Sequence, residues 1–366
     1  MFQRVATAAV SMSLGVTAVA QSPTATATKL TIPTPTPTAT ASPAINQSID
    51  SLAGTDVQAA ITLFKTNFVK SDALTDEELN RALLQGLLVR YSHGLQLLPG
   101  AASAPVEPPA PFYSEMFEGH IGYLRFGTLN AGNLTALDKK LEEYAAKKTD
   151  AVVVDLRDKE GRSDFAAGAE FAKRFCPKGK LLFTLRKPAA RQDRAFSSER
   201  EPALRALVVV LIDGDTSGAA EVVATALHTY DKALLIGQPT AGRGVEYADL
   251  PLPSGKILRL ATAEAVGPDG QLLFPNGVKP DLPVEMSRSD KQQIFALSGE
   301  KGMAPFVYET ERPHLNEAAL ITGTNPELES GEGQGRKRGR EKIPVRDPVL
   351  QRALDVVASL EIFQKR

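Results

Sequence analysis

The sequence predicts an α/β fold built on a largely parallel sheet. Runs of branched residues, "AVVVDLRD" from Ala151 and "LVVVLI" over Leu207–Ile212, are almost unbroken in apolar side chains, as strands covered on both faces require. These runs alternate with stretches whose apolar residues recur at i, i+3 and i+4, the period of helices packed by one face. The chain has 366 residues, 43% apolar and 23% charged, an ordinary globular balance with room for one large domain or two small ones.

The elements follow in order. "MFQR" gives a positive start, "VATAAVSMSLGVTAVA" a short apolar core, and Ala18-Val19-Ala20 a small-x-small site, so residues 1–20 read as a secretory signal cleaved before Gln21. The expected location is secreted or periplasmic. Residues 21–45 are Thr, Pro and Ala with almost no large apolar residue, a disordered tether that favours polyproline II. Residues 46–111 form a helical N-terminal region: Ser51–Phe68 and Ser71–Leu95 both carry helical spacing, the second with a capping box at Thr75-x-x-Glu78. A Pro-rich break closes it, Pro99–Pro111.

Residues 112–290 are the α/β core. Strands are expected at His120–Leu129, Ala151–Asp158, Lys180–Arg186, Ala203–Ile212, Ala233–Gln238 and Lys256–Gly267. Helices are expected at Asn133–Lys148, Ser163–Phe175 and Ala219–Tyr230. Residues 291–366 are a C-terminal extension. Within it, Gly331–Lys342 is a polar, basic loop without periodicity, and "DPVLQRALDVVASLEIF" is a terminal helix.

Composition excludes several classes. A net charge of −1 gives no footprint for nucleic acid. No run reaches the roughly 18 apolar residues of a membrane span, so no span is expected after signal cleavage. Cys176 is the single cysteine, so no intrachain disulfide forms. The four His residues are scattered and no Cys pair exists, so neither a metal site nor a cofactor is expected.

The stretch "GDTSGAAEVVATAL", Gly214–Leu227, has the layout of a nucleophile turn: a branched strand, small polar residues, then a helix. Yet glycine, Gly218, occupies the position expected for the hydroxyl. Ser217 stands one residue earlier and Thr216 before it; Ser217 also suits the N-cap of the helix from Ala219. Lys159, Lys173 and Lys232 are the lysines available in sequence as bases, and His228 lies about three turns along the helix, out of reach of its start.

In one order and with regular spacing, "GHIGYLRF", "VVVDLRDKEGR", "TSGAAEVVATAL", "ALLIGQPTAGRG", "ILRLATAEAVGPDG" and "NGVKPDLPVEM" resemble the core of the C-terminal processing (tail-specific) serine peptidase family. The resemblance runs from about Gly119 to Met286. It implies a ClpP/crotonase-like core with helical N- and C-terminal flanks, and a Ser–Lys dyad assisted by a Gln. Aligned on Glu221, the serine position is Gly218; aligned on the turn Thr240–Gly244, the lysine position is Arg243 and the Gln position Tyr247. The spacing between the two turns is the one the family's pattern requires.

All three chemical positions are therefore substituted. Glycine offers no nucleophile, and a guanidinium cannot accept a serine proton at neutral pH. The resemblance also places the oxyanion turn at Gly161, Arg162 and, across from it, Ala219; Arg162 stands where the family has a second glycine. Between the N-terminal helices and the core only Pro99 to about Glu118 is left, too short for the PDZ module that commonly sits there in this family. The resemblance leaves three functions open: a pseudopeptidase that binds a peptide, a protein C-terminus or a partner, an active serine peptidase using Ser217, and a hydrophobic-ligand carrier.

Overall fold

The computed structural model describes residues 43–70, 74–100, 108–158, 164–230, 233–307 and 345–364. The signal-like segment, most of the Thr/Pro tether and the basic loop at 331–342 lie outside the described residues, as do Gly161 and Arg162. The chain divides into two compact units at Asp76/Glu77.

In the first unit, α1 (Pro43–Asp50) starts slightly before the expected end of the tether, and α2 (Gly54–Asn67) follows. The Asp56 carboxylate accepts from the Ala53 N–H, satisfying a donor at the start of α2, and Lys65 near its end suits the helix dipole.

Helix α3 (Asp76–Arg90) leads into the second unit. The remaining elements are β1 (Leu95–Leu98), β2 (Tyr113–Phe117), β3 (Ile121–Arg125), α4 (Ala131–Ala146), β4 (Ala151–Asp155), α5 (Phe165–Ala172), β5 (Leu181–Lys187) and β6 (Gln192–Ser197). They continue as β7 (Leu207–Ile212), α6 (Ala219–Tyr230), β8 (Leu234–Gly237), β9 (Val245–Pro251), β10 (Ile257–Val266), β11 (Leu282–Pro283), α7 (Arg288–Lys301) and a terminal helix α8 (Pro348–Gln364).

The main sheet has the order β11-β8-β7-β4-β3-β2, parallel except where β2 pairs with β3. Both faces are covered, which is why its strands read as unbroken apolar runs. In β4, Val152 and Val154 face a core shared with α4, α5 and α6, while Val153 faces a second core with Ile294 of α7 and Leu350, Ala353 and Val357 of α8. The pleat sends successive side chains to opposite faces, so one strand feeds both cores.

The largely parallel sheet expected from the sequence is thus this sheet alone. A second, antiparallel sheet, β1-β10-β5-β6 with β9 also on β10, stands beside it. It takes in the expected strands at Lys180–Arg186 and Lys256–Gly267. Elsewhere the boundaries tighten: the Ala203–Ile212 strand begins at Leu207, and the helix expected over Ser163–Phe175 runs Phe165–Ala172, capped by the Asp164 carboxylate on the Ala166 and Ala167 N–H groups.

Candidate active site

Two turns at the C-terminal ends of parallel strands meet at the candidate site. The first follows β7. The Asp213 carboxylate accepts from the Asp215 N–H at 2.9 Å, and the Thr216 hydroxyl accepts from the Asp213 N–H and donates to the Leu156 carbonyl at 2.8 Å. Thr216 is fully buried and committed to this turn, so it is no candidate nucleophile. Gly218 follows at φ +58°, in the left-handed region that favours glycine. Helix α6 begins at Ala219, so the cap position belongs to Gly218 and not to Ser217, as the sequence suggested. No described residue bonds the half-buried Ser217 hydroxyl.

The second turn is Thr240–Gly244. One carboxylate joins the two. Glu221, fully buried in the first turn of α6, accepts from the Gly218 N–H (2.9 Å) and the Arg243 N–H (2.8 Å) on one oxygen. Its other oxygen takes the Gly242 N–H at 2.7 Å and the Thr240 hydroxyl at 2.5 Å. Burial pushes the Glu221 carboxyl up from its ordinary value, against these four donors, which favour the ionised form. Gly218 and Arg243, which the resemblance aligns with a serine and a lysine, are therefore brought together, their backbone N–H groups bonded to the same oxygen atom. The Ala241 N–H on the Thr216 carbonyl, 2.9 Å, closes the join.

What the turns present is poor in chemistry. The Arg243 side chain is exposed and makes no ion pair among the described residues. Tyr247, on β9, donates its hydroxyl to the His93 carbonyl at 2.6 Å, and burial raises its pKa. It is a neutral, occupied donor. Ala219 is buried in helix packing, its Cβ 3.1 Å from where a Cβ on Gly168 of α5 would stand. Lys173 pairs with Glu170, and His228 lies 3.3 Å from Asp281 near the far end of α6. Lys159 and Lys232 lie outside the described residues.

Sequence reasoning missed the charged groups beneath the turns. Lys291 of α7 is buried and donates to the Asp213 carboxylate, to the Asp215 carboxylate at 2.8 Å and to the Arg157 carbonyl at 2.7 Å. Its three N–H bonds are all engaged, so it offers no lone pair to a serine. It fastens the turn after β7 to the segment after β4.

Arg157 is itself buried. It bonds both oxygens of Asp155 (2.9 and 2.6 Å) and both of Asp347 (3.0 and 2.8 Å), which caps α8 through the Val349 and Leu350 N–H groups. The Tyr123 hydroxyl adds a bond to Asp155 at 2.7 Å. The "DLR" and "DP" pairs of residues are thus two halves of one structural device. Next in the chain, burial pushes the Asp158 carboxyl up to about 6; the Arg125 guanidinium, 3.7 Å away between the Tyr113 and Phe295 rings, opposes the shift.

The sequence model of peptidase family S41 matches residues 120–284. The chain is 29% identical to a chloroplastic carboxyl-terminal-processing peptidase 2 of Arabidopsis thaliana, over 48% of this chain and 34% of that one. It is 26% identical to the carboxy-terminal processing protease CtpA of Bacillus subtilis, over 64% of this chain and 47% of that one. The chain therefore spans less than half the length of these curated relatives. Among solved structures, a putative peptidase from Parabacteroides merdae is 17% identical, covering 66% of this chain and 85% of that one with a TM-score of 0.49. Ordered motifs, two joined turns on a parallel sheet and the family match agree: the chain carries, in residues 120–284, a domain of peptidase family S41.

Proposed function

We propose that this chain is an exported, non-cleaving member of its family that binds a peptide or partner protein in the former active cleft. One observation supports this above the rest. At the position where the resemblance requires a nucleophile, Gly218 supplies only a backbone N–H, spent on Glu221. Arg243, at the base position, carries a guanidinium that stays charged at any physiological pH. A cleaving reading is favoured by one feature, the unbonded Ser217 hydroxyl, but no base among the described residues faces it.

Incubation of the full chain with an unstructured peptide, followed by mass spectrometry, should show retention without cleavage. The variant Gly218→Ser/Arg243→Lys/Tyr247→Gln restores the dyad and its assistant in type. It should fold, at a cost of about 1–3 kcal/mol for placing a side chain at the left-handed Gly218 position, and should cleave weakly at best. Cleavage by the wild type, lost on Ser217→Ala, contradicts the proposal. Export rests on the N-terminal signal pattern; among the described residues no helix is long and apolar enough to cross a membrane. N-terminal sequencing of exported material should begin near Gln21, and an intact Met1 on protein retained inside the cell contradicts export.

A further inference from the structure

Strand β6 forms one edge of the antiparallel sheet. It pairs with β5 on one side, and among the described residues no strand pairs with its other side. Alternate backbone N–H and C=O groups of an edge strand point outward, ready to receive another extended chain. The strand is nonetheless held in place. The Phe196 ring stacks on Phe183 of the core at 4.5 Å, and just past the strand the Ser198 N–H donates to the Lys180 carbonyl at 2.8 Å. Residues 192–195 and Ser197 are exposed.

Positive charge is concentrated along this edge. Residues 178–200 hold seven Lys and Arg against two Asp and Glu, in a chain whose net charge is −1. Three of these cations, Lys178, Lys187 and Arg191, are exposed and make no ion pair among the described residues. Lys178 stands beyond one end of β6, next to Gly179, whose N–H donates to the Ser198 carbonyl at 2.7 Å. Lys187, opposite Gln192 in the ladder, and Arg191 stand at the other end. The strand between them spans about 20 Å at the usual rise per residue. A second copy of the chain is a poor occupant, since antiparallel pairing of two β6 strands would set the basic end of each beside the basic end of the other.

We propose that the outer edge of β6 is a docking site for an extended acidic segment of a partner protein. The segment adds as a strand and sets carboxylates against Lys178 at one end and against Lys187 and Arg191 at the other. In such a pairing backbone hydrogen bonds supply the affinity, and the flanking charges select the partner. The Arg194 guanidinium, on the strand itself, is already paired with Glu246 at 3.1 Å, so selection falls to the ends. This surface uses none of the residues assigned to the former cleft, and neither reading depends on the other.

The test is fluorescence anisotropy of the full chain with three labelled eight-residue peptides: alternating Glu and Thr, alternating Glu and Pro, and alternating Lys and Thr. The Glu–Thr peptide should bind about tenfold or more tighter than either of the others. Proline keeps the charge of the peptide but cannot donate to a ladder. Lys178→Glu/Lys187→Glu, at two exposed positions, should erase that advantage while the thermal melt stays unchanged. Hydrogen exchange of the complex should show new protection confined to residues 192–197. Equal binding of the Glu–Thr and Glu–Pro peptides means attraction by charge alone and overturns the inference. So does protection that falls elsewhere, or a Glu–Thr preference that survives the double variant. Failure of the Glu–Thr peptide to bind also overturns it; if vesicles containing phosphatidylserine bind instead, the basic edge meets an anionic membrane. Each of these contrary results leaves the cleft reading standing.

Discussion

Arg157→Ala should destabilise the protein by about 3–5 kcal/mol, the cost of leaving buried charges without their partner. Asp155 and Asp347, each fully buried, would face one another across the space the guanidinium filled. The loss should be felt first at the terminal helix α8, whose cap residue Asp347 is held by Arg157. Thermal unfolding measures the stability change, and hydrogen exchange should show α8 opening below the global transition. The effect has a pH signature. Burial alone would raise the Asp155 pKa, but the Arg157 guanidinium and backbone N–H, with the Tyr123 hydroxyl, together outweigh it and hold that carboxyl below its ordinary value of 3.8. A lowered pKa contributes stability above the unfolded value that is lost as pH falls through the folded one. The gap between wild type and variant should therefore narrow below about pH 4. A variant that unfolds like the wild type at pH 7 contradicts the role given to this triad.

Glu221→Ala should cost about 4 kcal/mol or more, because each buried donor left without an acceptor costs roughly 1–3 kcal/mol. Four donors lose their acceptor together: the N–H groups of Gly218, Gly242 and Arg243 and the Thr240 hydroxyl. Glu221→Gln keeps the volume but turns an NH2 group toward donors, and should cost about half as much, roughly 2 kcal/mol. The ordering of the three proteins in a denaturant titration is the check. Equal stability of Glu221→Ala and wild type would mean that the two turns are held together by something other than this carboxylate.

Much of the site was legible because the family's motifs sit on the strongest periodic elements. The branched run Leu207–Ile212 and the helix Ala219–Tyr230 are where the sequence places them, and they fix the first turn between them. The family spacing brought Gly218 and Arg243 to one place, though it did not reveal that Glu221, rather than a side-chain pair between them, makes the join. The second sheet was less legible. Strand β6, "QDRAFS", is almost wholly exposed and β9, "VEYADLP", has one buried residue, and such strands carry little of the apolar pattern by which a buried one is recognised.

Helix α7 escaped notice for a related reason: of its residues only Lys291, Ile294 and Ser298 are buried, and two of these are polar. The Arg157–Asp347 pair joins residues 190 positions apart. No local pattern can show that, although a charge in each of two family-like segments was the visible half of the signal. The cap at α6 was misplaced by one residue because serine is the commoner cap, whereas here the cap residue must take φ +58°.

Reaction of the purified full chain with a fluorophosphonate, with the product mapped by peptide mass spectrometry, asks most directly whether the nucleophile has gone. If Gly218 stands at the family's serine position, as proposed, and Ser217, which no described base bonds, is no substitute, the chain should remain unlabelled under conditions that saturate an active serine peptidase. A stoichiometric adduct on Ser217, absent from Ser217→Ala, would contradict this and make the protein a peptidase with a displaced nucleophile.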